Sequence, residues 1–314
     1  MKKIILFKFL STLFSIVIII LTLEIYVRHA LDDGFMLDLE MMKYAKGFKE
    51  ISKNKDIGIE HKKNVSGKIM RTDVFLNSDG FRNKYDVNSQ KKKILMLGDS
   101  MTFGFGAQQT FSSYLEKKLS EDYQVINAGI GNTNTKMQIS NFFENFSKYN
   151  YDVLVLNFFI NDFEDVKIRK ISFLQKNFYS YTFVKSKIIN ILVKFGFLSN
   201  WEKFYHKTFQ NTNLINETFS LIKKLKQYCE KNNIVFIINN IPELKDLKNY
   251  KFTKETNLIK SFAKNNGIYF FNSMNDLKNF DEKSLWVSEE DRHANNKAHK
   301  IISNFLYNKI LSLI

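Results

Sequence analysis

One stretch of the sequence decides how the chain is interpreted, namely Lys93-Ile94-Leu95-Met96-Leu97-Gly98-Asp99-Ser100-Met101-Thr102. A short apolar run that stops abruptly at Gly-Asp-Ser is typical of a buried strand that passes into a loop and then a helix. Parallel α/β sheets display reactive side chains at the carboxyl ends of their strands. Ser100 is therefore a candidate nucleophile, although most serines are only solvated hydroxyls. A base, an orienting carboxylate and an oxyanion hole must come from elsewhere in the chain.

Apolar runs and amphipathic stretches alternate after Lys91, which predicts strands separated by helices. The predicted strands are Ile94–Leu97, Gln124–Asn127, Asp152–Phe159, Ile234–Ile241 and Ile268–Phe271, and the predicted helices cover about 110–120, 133–147, 214–231, 253–265 and 297–312. Short apolar strands separated by helices favour a parallel sheet covered on both faces. Right-handed crossovers then give an α/β fold with a flavodoxin-like, doubly wound parallel sheet of five strands.

The composition limits the class of protein. The chain has 314 residues, of which 44% are hydrophobic, so it can form one large α/β domain with appendages. The net charge of +15 comes from 47 Lys and Arg against 32 Asp and Glu. The lysines are spread along the whole chain, so we interpret most of this charge as solvated faces. A nucleic-acid partner is disfavoured because the chain has no recognisable binding motif and is predicted to be exported.

Cysteine and histidine usage gives no indication of a metal site. The single cysteine, Cys229, excludes an internal disulfide and lies in the apolar stripe of a predicted helix, so we expect it in the core. No Cys-x-x-Cys pair or histidine cluster is present in the sequence. We therefore predict neither a metal nor a cofactor.

An apolar segment, Ile4 to Val27, is long enough to span a bilayer as a helix. Lys2, Lys3 and Lys8 flank its start, which predicts the N-terminus in the cytoplasm and the remainder outside. A cleaved signal peptide is the rival interpretation. The apolar run exceeds a usual signal-peptide core and no Ala-x-Ala site follows it, so we favour an uncleaved single-pass anchor in the cell membrane.

These patterns divide the chain into three parts. Residues 1–30 form the predicted anchor, residues 31–90 an extension packed on the main domain, and residues 91–314 the main domain. An insertion at 165–213, rich in lysine and aromatic residues, interrupts the alternation of strands and helices. It is either a helical lid over the substrate site or a helical hairpin that only packs on the core. Contact with anionic membrane is a third, less favoured hypothesis.

Further polar candidates follow the other predicted strands. Gly129 lies just after the second strand, and Asn161 with Asp162 follows the third. A glycine N–H and a carboxamide are groups that can donate to an oxyanion. His293 precedes the last helix and has Asp291 two residues before it, which makes it the best base among the five histidines.

The sequence resembles the SGNH, or GDSL, hydrolase superfamily in the order and rough spacing of four motifs. They are Gly98-Asp99-Ser100, Gly129, Asn161-Asp162 and Asp291-x-His293. The resemblance covers about residues 70 to 314, and Asn77-x-x-Gly80-Phe81-Arg82 resembles the lead-in of its membrane-anchored bacterial members. Two positions depart from the pattern. Phe159 replaces a usual glycine, and Asp291 precedes the histidine by two residues instead of three. Glu290 stands at the usual distance, so either acid can orient His293, and we favour Asp291.

The resemblance implies a serine hydrolase mechanism. Ser100 would attack an acyl carbonyl, His293 would act as its base and Asp291 would orient the histidine. The oxyanion would be bound by the backbone N–H groups of Ser100 and Gly129 and by the Asn161 side chain. The expected activity is an extracytoplasmic esterase acting on an O-acylated carbohydrate or lipid through an acyl-enzyme. The alternatives are an O-acyltransferase that modifies a cell-envelope glycan and an inactive envelope-assembly or glycan-binding protein.

Overall fold

The computed structural model of the protein describes residues 2–119 and 122–314. Two short antiparallel hairpins come first, and five parallel strands follow. The strands in chain order are β1 (Lys49–Ile51), β2 (Ile59–His61), β3 (Val65–Ile69), β4 (Thr72–Leu76), β5 (Lys92–Gly98), β6 (Tyr123–Gly129), β7 (Val153–Phe158), β8 (Val235–Asn240) and β9 (Tyr269–Asn272). The sheet order is β6-β5-β7-β8-β9, with every neighbouring pair parallel. This confirms the predicted α/β class and all five predicted strands.

Helices cover both faces of the sheet, as the predicted crossovers require. They are α1 (Lys2–Tyr26), α2 (Leu37–Gly47), α3 (Ser100–Phe103), α4 (Phe111–Lys118), α5 (Thr135–Asn141), α6 (Phe173–Asn177), α7 (Tyr179–Lys194), α8 (Trp201–Thr208), α9 (Thr212–Lys231), α10 (Thr253–Asn265), α11 (Met274–Leu277) and α12 (Asn296–Leu311). The helix predicted at 133–147 is α-helical only in its first half and continues as a π-turn, Phe142–Phe146. Ser120, the end of the helix predicted at 110–120, lies outside the described residues.

Two apolar layers hold the helices to the sheet. On one face Leu95 and Leu154 pack in a cluster that includes Ile222 of α9 and the buried Cys229. On the other face Ile94 packs in a cluster with α4 and α12. The strands are therefore buried on both sides, which is why they are near-continuous apolar runs in the sequence.

The segment between α1 and β5 lies against the main domain. Tyr44 of α2 stacks on Phe103 of α3, with 4.7 Å between ring centroids. The same cluster contains Phe48 and Phe105, and all four rings are buried. This contact brings α2 and the first hairpins beside the carboxyl end of β5.

The N-terminal helix is the one helix among the described residues long and apolar enough to cross a membrane, by length and composition. Its apolar side chains are exposed along most of its length, but its last turns are not. Glu24 is buried and accepts hydrogen bonds from Tyr179 N at 3.0 Å, Ser180 N at 2.8 Å and Ser180 Oγ at 2.6 Å. The carboxylate also pairs with Arg28. The start of α7 is thus capped by a side chain of α1.

Candidate active site

Ser100 lies at the junction that the Gly-Asp-Ser sequence predicts. β5 ends at Gly98, Asp99 caps the next helix by accepting a hydrogen bond from Met101 N at 2.9 Å, and Ser100 is the first residue of α3. A Cβ added to Gly98 would lie 2.0 Å from Thr102 Oγ1, so only glycine permits this turn. The N–H groups of a first helical turn have no partner within the helix, which leaves Ser100 N–H available to a ligand.

His293 joins Ser100 to Asp291. Ser100 Oγ lies 2.8 Å from His293 Nε2, and His293 Nδ1 lies 2.5 Å from Asp291 Oδ1. Asp291 Oδ1 also accepts the backbone N–H of His293 at 3.0 Å, which holds the two residues together despite their short separation. Glu290 lines the same cleft but makes no hydrogen bond to His293 among the described residues. The structure therefore brings Ser100, His293 and Asp291 into one hydrogen-bonded chain.

The electrostatic surroundings of His293 favour its protonated form. Burial by itself lowers the pKa of an imidazole, but the charge and hydrogen bond of Asp291 raise it, with smaller contributions from Asp99 and Glu243. The net result is a pKa above the ordinary value for histidine. A base with a raised pKa is a stronger proton acceptor once it is neutral, which suits the deprotonation of a serine.

Asn161 lies beside the serine and is held by a buried carboxylate. Its Nδ2 donates to Asp99 Oδ2 at 3.0 Å, and the second N–H of the amide remains for another acceptor. Asp162 shapes the loop by accepting Phe159 N at 2.6 Å and Gln138 Nε2 at 3.0 Å. Burial, with the nearby charge of Asp99, raises the pKa of Asp162 well above its usual range. The Asn161 side chain thus lies in the cleft, while the Asp162 side chain holds the loop.

Gly129 does not present its N–H to the serine, so its predicted role as an oxyanion donor is wrong. Its N–H donates to Asn127 Oδ1 at 3.0 Å. A Cβ added to Gly129 would lie 2.2 Å from Phe103 N, so the glycine is required where β6 passes under α3. The requirement is one of packing, and the hydrogen bond to Asn127 leaves Gly129 N–H unavailable as an oxyanion donor.

The loop that follows β6 offers a replacement donor. A Cβ added to Gly131 would lie 3.4 Å from Ser100 Cβ, so this loop runs directly beside the serine. Gly131 N donates to Tyr44 Oη at 3.0 Å, and Tyr44 Oη also lies 2.6 Å from His61 Nε2. Asn132 has a positive φ of 65°, and its N–H has no hydrogen-bond partner within residues 2–119 and 122–314. A backbone donor is therefore available three residues after Gly129.

The cleft in front of Ser100 has a volume of about 280 Å³ and is open to solvent on one side. Its lining residues are Leu37, Ser100, Met101, Phe159, Asn161, Trp201, Tyr205, Glu243, Glu290, Asp291, Arg292 and His293. Trp201 and Tyr205 come from α8, so part of the insertion forms a wall of the cleft, whereas α7 packs against α1 and α2. The insertion thus contributes α8 to the cleft wall, and its action as a lid stays a prediction.

Several cleft residues were not predicted from the sequence. Glu243 follows β8, and inspection of every strand end would have found it. Trp201 and Tyr205 carried no signal, because nothing in an aromatic-rich helix says which ring faces a cleft. Arg82, noted only as part of the lead-in, donates to the carbonyl oxygens of Phe103 at 2.5 Å and Ala107 at 2.6 Å and so holds the end of α3.

Two further histidines serve packing. His299 is buried in α12 and its Nδ1 accepts Phe111 N at 3.0 Å, while His61 bonds Tyr44 and the Gly80 carbonyl oxygen. Across the described residues no group of three His, Cys, Asp or Glu side chains is arranged to hold a metal ion.

Comparison with known proteins gives only distant structural likeness. No family model and no curated protein sequence matches the chain. An acetyl xylan esterase structure aligns with 15% identity and a TM-score of 0.46, covering 69% of this chain and 99% of that one. A catalytic mutant of an acetylxylan esterase from Geobacillus stearothermophilus aligns with 14% identity and a TM-score of 0.46, covering 71% and 95%. A two-domain esterase active on acetylated mannans aligns with 12% identity and a TM-score of 0.46, covering 72% and 50%.

Proposed function

We propose that the protein is a serine esterase of the SGNH type that cleaves O-acyl esters through an acyl-enzyme. One observation carries the proposal, namely the chain from Ser100 Oγ to His293 Nε2 at 2.8 Å and from His293 Nδ1 to Asp291 at 2.5 Å. Nucleophile, base and orienting acid in hydrogen-bond contact are the arrangement that activates a serine at neutral pH.

In the first half of the reaction, Ser100 Oγ attacks the acyl carbonyl carbon while His293 Nε2 takes the hydroxyl proton. Asp291 keeps the Nδ1 proton in place and stabilises the imidazolium that forms. Ser100 N–H and the free amide N–H of Asn161 donate to the developing oxyanion, and Asn132 N–H takes the place first given to Gly129. His293 then donates its proton to the leaving alcohol, and the ester bond breaks.

In the second half, a water molecule replaces the alcohol on the histidine side of the acyl-enzyme. His293 removes a proton from the water as it attacks the acyl carbon, and the same donors bind the second oxyanion. Collapse of this intermediate returns the proton to Ser100 Oγ and releases the carboxylic acid. The open side of the cleft supports hydrolysis over transfer, because it admits water to the acyl-enzyme.

The site is proposed to lie outside the cytoplasm, on a protein held in the cell membrane by α1. The length and apolar character of Lys2–Leu31 support a span. The contacts of Glu24 with Tyr179 and Ser180 support retention of the helix, because cleavage after it would remove the cap of α7. The lysines before the helix support a cytoplasmic N-terminus.

The test uses full-length protein in detergent, with 4-nitrophenyl acetate as substrate and a fluorophosphonate as a serine-directed probe. We expect turnover and labelling in the wild type, and a loss of turnover of about 10⁴-fold or more with loss of labelling in Ser100→Ala. Ser261→Ala serves as the matched control, because this serine is exposed on α10 and lies outside the cleft lining. A wild-type protein that neither turns over the ester nor reacts with the probe would contradict the proposal and favour a non-catalytic role.

A further inference from the structure

Glu243 is a buried acid in the cleft that the proposed mechanism does not use. It is 7% exposed, it lines the cleft together with Ser100 and His293, and its Oε1 has no hydrogen-bond partner among the described residues. Buried polar atoms are normally paired, and an unpaired one at a binding cleft indicates a position where a ligand completes the hydrogen bonding.

We propose that Glu243, Arg292 and Trp201 form a subsite that binds the alcohol part of the ester through its free hydroxyl groups. This inference rests on the proposed esterase activity and adds the chemical class of the leaving alcohol, a polyhydroxylated ring. Glu243 is assigned as a specificity residue, because it contacts the part of the substrate that is not being attacked.

The position of Glu243 relative to His293 assigns the subsite to the leaving alcohol. His293 must protonate the alcohol oxygen, so that part of the substrate lies on the histidine side of the cleft. Arg292 adjoins His293 in sequence, and Glu243 is close enough that its charge contributes to raising the pKa of His293. Asn161, the proposed oxyanion donor, is held by Asp99 at the neighbouring strand end.

The charges around Glu243 favour a neutral ligand over a cationic one. Burial raises the pKa of Glu243 to about 7, and the positive charges of Arg292, His293 and Lys245 oppose that rise. Tyr250 Oη, which accepts Glu243 N at 3.1 Å, and Tyr205 complete its polar surroundings. The positive charges of Arg292 and Lys245 beside the carboxyl disfavour an ammonium group. A hydroxyl can donate to Glu243 and accept from Arg292 at the same time.

An aromatic wall beside this acid suits a ring. Trp201 is half-buried in the cleft lining, and its indole is packed against Phe252 at 5.6 Å between ring centroids. The guanidinium of Arg292 lies 5.2 Å from the centroid of Trp201, so the charged and aromatic groups form one continuous surface. An apolar ring face against the indole, with hydroxyl groups directed at Glu243 and Arg292, fits a sugar.

The test compares two acetate esters that share a six-membered ring and differ in hydroxyl groups. The esters are a mono-O-acetylated methyl glucoside and cyclohexyl acetate, and 4-nitrophenyl acetate reports the basal reaction. Full-length wild-type protein in detergent is expected to prefer the glucoside over cyclohexyl acetate by about tenfold or more in kcat/KM. Glu243→Gln is expected to reduce that preference about tenfold, mainly through KM, and Trp201→Ala to lower it as well.

Glu289→Gln is the matched control, since its side chain is exposed and outside the cleft lining. Equal wild-type rates on the two ring esters, or an equal loss on all three esters in Glu243→Gln, would overturn the subsite. Turnover of 4-nitrophenyl acetate without turnover of the glucoside would overturn it as well. A wild-type protein inactive on all three esters and unreactive toward the fluorophosphonate would instead contradict the esterase itself.

Discussion

The rim of the central sheet and the insertion at 165–213 form two walls of one cleft, but different kinds of interaction position them. On the rim, Ser100, Asn161 and Asp162 follow directly from strand ends. Asp162 accepts a local hydrogen bond from Phe159 N, and Asn161 bonds Asp99 at the neighbouring strand end. In the insertion, α7 is capped by Glu24, which is 156 positions away from Ser180. Local sequence therefore puts each of these rim residues at a strand end, while a polar contact remote in sequence fixes the start of α7.

The largest effect is expected on the rim, from the acid that is proposed to orient the base. Asp291→Asn should lower kcat about 10⁴-fold, because the amide stabilises the wrong tautomer of His293 and carries no charge to stabilise the imidazolium. Steady-state kinetics on 4-nitrophenyl acetate would measure it. Glu290→Gln is the matched control, and we expect a much smaller loss. A larger loss in Glu290→Gln than in Asp291→Asn would assign the orienting role to Glu290.

The pH dependence of the same pair gives a second readout of this prediction. His293 must be neutral to accept the serine proton, so kcat/KM rises as the pH passes upward through its pKa. Since that pKa is raised, the rise should lie above pH about 6.5, the ordinary value for histidine. In Asp291→Asn the charge that raises the pKa is gone while burial still lowers it, so the residual activity should rise at lower pH. If the rise of activity with pH were at the same pH in Asp291→Asn and the wild type, the charge of Asp291 would not be what raises the pKa of His293.

A smaller loss on the rim is expected from the proposed oxyanion donor, Asn161. Asn161→Ala should lower kcat about 10²- to 10³-fold, because one donor to the oxyanion is removed. The measurement is kcat on 4-nitrophenyl acetate, with KM little changed since the hydrogen bond forms in the transition state. Asn145→Ala, at a distant π-turn, is the control. A loss confined to KM would show that Asn161 binds the ground state instead.

The sequence predicted the sheet well because each strand is buried on both faces and is therefore a continuous apolar run. It also singled out Ser100, Asn161 and His293, since each stands next to a strand or helix terminus. The interpretation of Gly129 failed for a physical reason: a glycine that permits close backbone packing on α3 has the same sequence signal as one that exposes its N–H. Trp201 gave no signal of its position, because the orientation of a side chain in a cleft depends on tertiary packing, whereas Glu243 could have been found by inspecting the residues after β8.

The smallest effect is expected in the insertion, on the hydrogen exchange of α7. Its measurement tests whether α1 is part of the folded domain. Glu24→Gln replaces the carboxylate that accepts three hydrogen bonds from Tyr179 and Ser180 at the start of α7. Loss of a helix N-terminal cap costs about 1–2 kcal/mol, so amide hydrogen exchange in the first turns of α7 should accelerate by roughly 5- to 30-fold. Ser180→Ala removes only the hydroxyl contact and should have a smaller effect.

The sheet and α8 serve as the internal control for that experiment, because neither depends on the Glu24 cap. Exchange in β5 and β7, and kcat on 4-nitrophenyl acetate, should stay within about twofold of the wild type when local opening is confined to α7. Unchanged exchange in α7 would mean that its tertiary packing against α2, and not the cap, holds it in place. A fall in kcat as large as that in Asn161→Ala would instead show that the two walls of the cleft are coupled. The insertion would then contribute to catalysis through α7 as well as α8.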